Sequence, residues 1–419
     1  MYNNGATNMI KMVPIEQVKF NKDLYPRFEA DNATINQYRQ SIDKLPPILV
    51  TEDLTIIDGY HRFLAHKLEG HEKIEVEVFG GDNPKEILLE AIKRNNSFGR
   101  QLSTKEKRLN AVKLWKFGFN DVNEIASILS VDVRSARDYT EELRREDKEK
   151  RDEEILELYL ECYSFEEIAK KLEVSMGTVH NAFKNGKLSK NEQPDDLQFY
   201  NVWNVAKLDS EQLKYPGQTP LEIVENIIYY FSDPPQKEPL KLSKVVDPMA
   251  GSGIVRHACR KLLRRYMLFD IRPLREDIPI EKNDILDGFP EKAKKTDLVY
   301  FDPPYYNLMS EYGISEFNKD YPSFLKSMEI SLKNIIEILN PHGKVTLILK
   351  PMNEKMLEGE WLDLTFDCIS IAKKEGYKLI KRISAPLSTQ QFQAENVKCA
   401  KEKRAMLNTH RDVVILEVK

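Results

Sequence analysis

The sequence predicts a multidomain chain: an α+β domain, then an all-α region, then a C-terminal α/β domain built on a doubly wound, mostly parallel sheet. Three observations predict it. Over roughly residues 11–79, short strand-like and helical patterns are mixed. Residues 104–187 are helical and carry an internal repeat. Beyond Asp196, apolar runs of strand length alternate with helical stretches almost to the C-terminus. The 419 residues also exceed one ordinary core, so two or three domains are expected. The boundaries are placed at 1–100, 101–190 and 195–419.

Composition narrows the class. A chain with 41% hydrophobic and 31% charged residues fits a soluble globular protein. No apolar run is long enough to cross a bilayer, and the polar start Met1-Tyr2-Asn3-Asn4 lacks a signal-peptide core. Cys162, Cys259, Cys368 and Cys399 are scattered, with no metal-ligand spacing and no disulfide framework. A reducing cytoplasm is the expected location. The net charge of −4 argues against non-specific coating of nucleic acid but leaves room for a local basic face.

In the first part, Ile48-Leu49-Val50-Thr51 and Thr55-Ile56-Ile57 read as strands with Glu52-Asp53 between them. Asp58-Gly59-Tyr60-His61-Arg62 then opens a helix that runs through Leu68 and stops at Gly70. Ile74-Glu75-Val76-Glu77-Val78 alternates as a half-buried strand. A helical continuation passes Arg94-Asn95-Asn96 and Arg100. This order resembles the ParB/sulfiredoxin-like domain. The resemblance implies a nucleotide-phosphate pocket at Gly59, His61 and Arg62, and hence CTP or ATP. Asp58 and His61 depart from the Gly-Glu-Arg-Arg form of chromosome-segregation ParBs. Capping, or contact with DNA phosphate, by His61 and Arg62 is the equal alternative.

In the helical part, Glu124-Ile125-Ala126-Ser127-Ile128-Leu129-Ser130-Val131 matches Glu167-Ile168-Ala169-Lys170-Lys171-Leu172-Glu173-Val174. In both, Ile, Ala and Leu share one helical face, a short turn follows and a second helix begins. That is a helix-turn-helix layout, with a small Ala where the helices approach. Arg134 and Arg137 in the first unit, and His180, Asn181 and Lys184 in the second, are the candidate DNA contacts. The charge run from Glu141 to Glu154 reads as a solvated helix or linker. Lys187 to Asp196 is the expected boundary.

In the third part, strands are expected at Val245-Val246, Met267-Leu268-Phe269, Leu298 to Phe301, Val345 to Leu349 and Val413 to Val418. Two motifs follow such strands. Asp247-Pro248-Met249-Ala250-Gly251-Ser252-Gly253 turns sharply from strand to helix, and its small residues let a ligand approach the backbone. Asp302-Pro303-Pro304-Tyr305 puts a carboxylate, a rigid turn and an aromatic face together at the end of a buried strand. Asp270 ends the strand after the glycine loop, where a carboxylate accepts from ribose hydroxyls.

Together these motifs resemble the amino-group DNA methyltransferases that use S-adenosylmethionine, which implies a Rossmann-like third domain. The resemblance assigns the cofactor to Asp247, Pro248, Ala250, Gly251, Gly253 and Asp270. It adds Asp284 near the adenine, where an exposed loop acid is the competing reading. Tyr215-Pro216-Gly217-Gln218-Thr219-Pro220 looks like the family's cofactor-flanking segment, which adds Thr219, although Tyr215 and Thr219 depart from the usual form. The catalytic residues are then Asp302, Pro303, Pro304 and Tyr305. Asp302 and the Pro303 carbonyl accept the amine hydrogens, while Tyr305 stacks on a base rotated out of the duplex. No metal is required.

Asp at the first position favours adenine N6, with cytosine N4 left open. No target-recognition insert separates loop and motif, so target choice falls to the first 190 residues, with 306–322 a short loop over the site. Double-stranded DNA is the implied partner, a homodimer and a cognate restriction endonuclease are compatible with the family, and a membrane is not involved. The alternatives are a cytosine-N4 or RNA methyltransferase, or a ParB-like nucleotide-dependent regulator.

Overall fold

The computed structural model describes residues 9–27, 30–81, 83–97, 102–184, 193–205, 219–237, 240–304, 317, 319–350, 352–353, 361–386 and 394–419. The chain divides into two compact units, Met1–Arg151 and Asp152–Lys419. The division falls inside a long helix, so the two copies of the sequence repeat belong to different units. The boundary expected at Lys187–Asp196 lies largely outside the described residues.

The first unit opens on strand β1 (Met9–Pro14) and helix α1 (Asn32–Arg39), followed by β2 (Ile48–Val50) and β3 (Ile56–Asp58). Then come α2 (Tyr60–Leu68), β4 (Lys73–Val78) and α3 (Pro84–Ser97). The strands form one sheet in the order β1-β4-β2-β3, with only β2 and β4 parallel. The β2–β3 turn closes where expected: Thr51 N–H donates to the Thr55 carbonyl at 2.9 Å, and the Thr51 hydroxyl bonds Asp53. Val13, Ile48, Val50, Ile56, Phe63, Ile74 and Val76 form the core beneath.

Helices α4 (Thr104–Lys116), α5 (Val122–Leu129) and α6 (Val133–Tyr139) complete this unit with the start of α7 (Glu141–Leu160). A capping box between Ser103 and Glu106 starts α4. Leu88 and Ile92 of α3 pack with Leu114, Ile125, Leu129 and Ala136.

The second unit takes the end of α7 with α8 (Phe165–Lys171) and α9 (Met176–Lys184). The repeat recurs in its turn geometry. Ser130 and Glu173 are both left-handed, at φ 49° and 53°. Val131 N–H bonds Ala126 O at 3.0 Å, and Val174 N–H bonds Ala169 O at 2.9 Å. Each second helix is capped three residues back, Asp132 accepting from Ser135 N–H at 2.9 Å and Ser175 from Thr178 N–H at 3.1 Å. In the second copy Ile155, Leu158, Ile168 and Val179 share a small core.

Beyond it lie α10 (Leu221–Phe231), a two-strand hairpin of β5 (Gln236–Lys237) and β6 (Leu240–Lys241), β7 (Lys244–Asp247), α11 (Ile254–Lys261), β8 (Arg265–Asp270), β9 (Ile280–Lys282) and β10 (Thr296–Phe301). The helix Tyr321–Ile338 leads to β11 (Leu339–Leu349). Another hairpin, β12 (Met352–Asn353) with β13 (Trp361–Leu362), precedes the helix Leu364–Lys374. β14 (Tyr377–Pro386), the helix Ala394–Lys403 and β15 (His410–Val418) end the chain.

Seven of these strands form a mixed sheet in the order β14-β15-β11-β10-β7-β8-β9. The run from β11 to β9 is parallel, and β15 is antiparallel to both its neighbours. Successive residues of β10 serve opposite cores: Leu298 and Tyr300 pack with α10 and α11, Val299 and Phe301 with the helix Tyr321–Ile338. This double coverage is why the strand reads as an unbroken apolar run. The chain steps outward through β7, β8 and β9, then returns to place β10 on the other side of β7. The crevice at the carboxyl ends of β7 and β10 is therefore the topological switch point, where such sheets bind ligands. No helix among the described residues is long and apolar enough to cross a membrane.

Candidate active site

Two aspartates end the strands that flank the switch point. Asp247 closes β7 and Asp302 follows β10, and the parallel pairing of Val299 with Val246 brings both to the same carboxyl edge, Asp302 two positions further along. Asp247 is buried, and burial pushes its carboxyl well above the ordinary range, reinforced by the charges of Asp302 and Asp270 and opposed by the Met249 N–H. Asp302 is raised to about 6, again chiefly by burial, with the Arg411 charge and a hydrogen bond from Thr219 pulling the other way.

The glycine loop is shaped by its own backbone. Gly251 and Gly253 take φ 48° and 76°, and Gly253 N–H bonds Ala250 O at 2.7 Å. A Cβ on Gly253 would lie 2.8 Å from Ile278 Cδ1, so the position admits no side chain without displacement. Asp270 ties the loop to β8: its Oδ2 accepts from Gly251 N–H at 2.9 Å and its Oδ1 from Arg272 N–H at 2.8 Å. Each oxygen keeps a second lone pair for a ligand hydroxyl. Pro248 and Ala250 lie in the same turn. Asp284 accepts from Leu286 N–H at 2.9 Å and so caps the short turn Ile285–Asp287.

Thr219 sits against Asp302. Its hydroxyl donates to Asp302 Oδ2 at 2.7 Å and accepts from Arg411 Nη1 at 2.7 Å. Thr219 is 2% exposed and Arg411 8%. Arg411 reaches this edge because β15 runs antiparallel, so its first residues lie where the parallel strands end: Asp412 pairs with Leu349 at the end of β11. Lys350 follows that end, and burial together with the Arg411 charge lowers its pKa. Sequence reasoning missed Arg411 and Lys350. The signal available was the charged pair Arg411-Asp412 directly before the apolar run Val413-Val414-Ile415-Leu416. Pro303 is buried and Pro304 half-buried. Tyr305, Tyr215 to Gln218 and most of the loop expected over the site lie outside the described residues.

The other predicted residues fall elsewhere. In the first unit, Gly59 starts α2 at φ 98°, and the Arg62 side chain folds back over it. Arg62 donates to the Pro46 and Pro47 carbonyls at 3.2 and 3.0 Å and to Asp58 Oδ2 at 2.7 Å. His61 Nε2 accepts from the Asp31 N–H at 2.9 Å. Arg134 and Arg137 on α6 are exposed, as are His180, Asn181 and Lys184 on α9 of the second unit.

A family model described as DNA methylase, of the N6/N4 methyltransferase type, matches residues 7–280. That span takes in the glycine loop and Asp270 and ends before Asp302. No curated protein matches the chain. Among solved structures, TrmN from Thermus thermophilus is similar over 49% of this chain and 50% of its own, at 15% identity and a TM-score of 0.30. A TehB-like SAM-dependent methyltransferase from Corynebacterium glutamicum is similar over 47% of this chain and 87% of its own, at 15% identity and a TM-score of 0.30. The chromosome-partitioning protein ParB from Caulobacter crescentus, complexed to the centromeric parS site, is similar over 31% of this chain and 69% of its own, at 21% identity and a TM-score of 0.24. The chain spans about half the length of the solved structures it matches first.

Proposed function

The chain belongs to the N6/N4 DNA methylase family, and on that premise we propose that it methylates the exocyclic N6 amine of an adenine turned out of double-stranded DNA, using S-adenosylmethionine. The observation that carries this reading is the Asp302 carboxylate, held at the switch point by Thr219 and raised to about 6.

The site suits the cofactor on chemical grounds. Asp247, Asp270 and Asp302 crowd one edge, and the last two charges oppose ionisation of the first. A sulfonium cation with an ammonium group would relieve that repulsion, and ribose hydroxyls would find the free lone pairs of Asp270. Bound there, S-adenosylmethionine supplies an electrophilic methyl group. Gly251 and Gly253 would let it lie against the backbone, with Pro248 and Ala250 beside it.

The residues of the chain then act on the amine. Its lone pair is delocalised into the base, so it is a poor nucleophile. Asp302 and the Pro303 carbonyl accept its two hydrogens and favour a localised lone pair, a fixed acceptor pair aimed at developing charge. A carboxylate near 6 is ionised at neutral pH yet basic enough to take the proton the methylated nitrogen sheds. Tyr305 would stack on the flipped base, a contact of about 1–3 kcal/mol. Incubation with DNA and methyl-labelled cofactor, then digestion to nucleosides, tests the reading. N6-methyladenine is expected; labelled N4-methylcytosine would move the assignment to cytosine, and label in a parallel RNA incubation with none in DNA would overturn it.

We assign target choice to the exposed helix pairs, read as two helix-turn-helix units. Replacing Arg134 and Arg137 by alanine should weaken DNA binding and lower its salt-dependence slope by about 2, one for each phosphate contact. An unchanged slope would remove α6 from the interface. CTP or ATP binding at Gly59, His61 and Arg62 is the weaker proposal, since Arg62 already serves two carbonyls and a carboxylate.

A further inference from the structure

The proposed chemistry needs Asp302 in one rotation, with one oxygen held by the protein and the other turned to the amine. A direct, two-pronged arginine contact would occupy both oxygens and pull the carboxyl down by about 1–3 units, leaving a weak acceptor. The structure avoids this. Arg411 donates to the Thr219 oxygen, and Thr219 donates to Asp302 Oδ2. A hydroxyl has one hydrogen, and a guanidinium cannot accept, so the direction of the relay is fixed from Arg411 through Thr219 to Asp302. No hydrogen bond to Oδ1 comes from the described residues.

We propose that Arg411 is a positioning residue of the methyl-transfer site: through the Thr219 hydroxyl it fixes the rotation of the Asp302 carboxylate and presents its second oxygen to the substrate amine. This rests on the catalytic reading of Asp302 given above. Relay members come from three separate places, the position two residues before α10, the residue after β10 and the start of β15, and all are in the same unit. The charged and titratable groups that face Asp302 are Arg411 on β15, Asp247 on β7 and Tyr300 on its own strand, with Lys350 beside Arg411.

The test uses the full-length protein with Arg411→Met, Arg411→Gln, Thr219→Val and Thr219→Ser, alone and in the pair Arg411→Met with Thr219→Val. Arg411→Met and Thr219→Val should each lower kcat by about 10- to 100-fold, the loss of one charge-assisted or buried hydrogen bond in the transition state. KM for S-adenosylmethionine should stay within about twofold. The acid limb of kcat, expected near pH 6 in the wild type from the raised Asp302 carboxyl, should move to higher pH in both, because each change removes an influence that holds Asp302 down. Thr219→Ser should recover most of what Thr219→Val loses, and Arg411→Gln, which keeps a donor without the charge, should recover part of kcat.

Measured well above the acid limb, where Asp302 is ionised in every variant and the through-space charge of Arg411 no longer sets its protonation, the two hydrogen bonds act in series, so the double variant should be no slower than Thr219→Val alone. Unchanged kcat and acid limb in Arg411→Met, or losses that add in the double variant, would overturn the relay. Thr219→Val, nearly isosteric, gives the same readout should Arg411→Met not fold. Asp302→Asn separates the two claims: if it retains the wild-type rate the catalytic reading fails, and if it is inactive while Arg411→Met is normal only the relay fails.

Discussion

The turns at Gly59 and at Gly253 are built alike and end differently. Each follows a strand that closes on an aspartate, Asp58 or Asp247, and each starts a helix from a left-handed glycine with no side-chain cap, at φ 98° and 76°. In the first, Arg62 folds over the glycine and binds Asp58 and two proline carbonyls, so the local charge is answered within the protein. In the second, Asp247, Asp270 and Asp302 lie together, and burial and mutual repulsion push Asp247 upward. One turn is electrostatically closed; the other stores repulsion that a cationic ligand can release. The same backbone device meets a guanidinium in one place and two further carboxylates in the other, and the difference lies in which side chains answer the aspartate.

Alanine at the two glycines would sharpen this contrast. Both carry positive φ and both would set a Cβ 2.8 Å from a neighbour, Ile278 for Gly253, Arg62 and Ile48 for Gly59. Each substitution should cost about 2–4 kcal/mol of stability, from strain and crowding together. Only Gly253→Ala should also weaken S-adenosylmethionine binding measured by calorimetry. Equal loss of cofactor affinity in both would break the distinction.

A smaller effect is expected at Arg62. Arg62→Met leaves Asp58 without its guanidinium and should lower stability by about 1–3 kcal/mol in chemical denaturation. If the turn is closed, CTP or ATP should give no thermal protection to the wild type. A protective shift that disappears in Arg62→Met would instead restore the phosphate-pocket reading.

Much of this was legible in the chain. Buried parallel strands announce themselves as apolar runs, so β7, β8, β10, β11 and β15 stand out, as does the repeat whose turns recur at Ser130 and Glu173. β14 does not, because it lies at the sheet edge and carries Lys378, Lys381 and Arg382 on an exposed run, the composition that keeps an edge strand from pairing further. β9, with three residues, is too short to show a period. Asp302 could be read as a chemical group because its motif is local. Its holders could not: Thr219 lies 83 residues before it, and Arg411 a further 192 from Thr219, brought to the same edge only by the antiparallel entry of β15. Motif reading offers Thr219 as a cofactor contact; that its hydroxyl also donates to Asp302 is visible only in the fold.

The most direct test of the account is single-turnover methyl transfer by Asp302→Asn, a neutral isostere that can still accept from Thr219. The rate should fall by at least about 100- to 1000-fold while the protein gains stability. The sign of that gain follows from the shift. In the fold the carboxyl is raised from 3.8 to about 6, so ionisation is disfavoured there; the penalty is absent below the unfolded value and complete above the folded one. At pH 7.5 the asparagine variant should therefore be more stable by about 2–3 kcal/mol. A variant that transfers methyl groups at the wild-type rate would contradict the account.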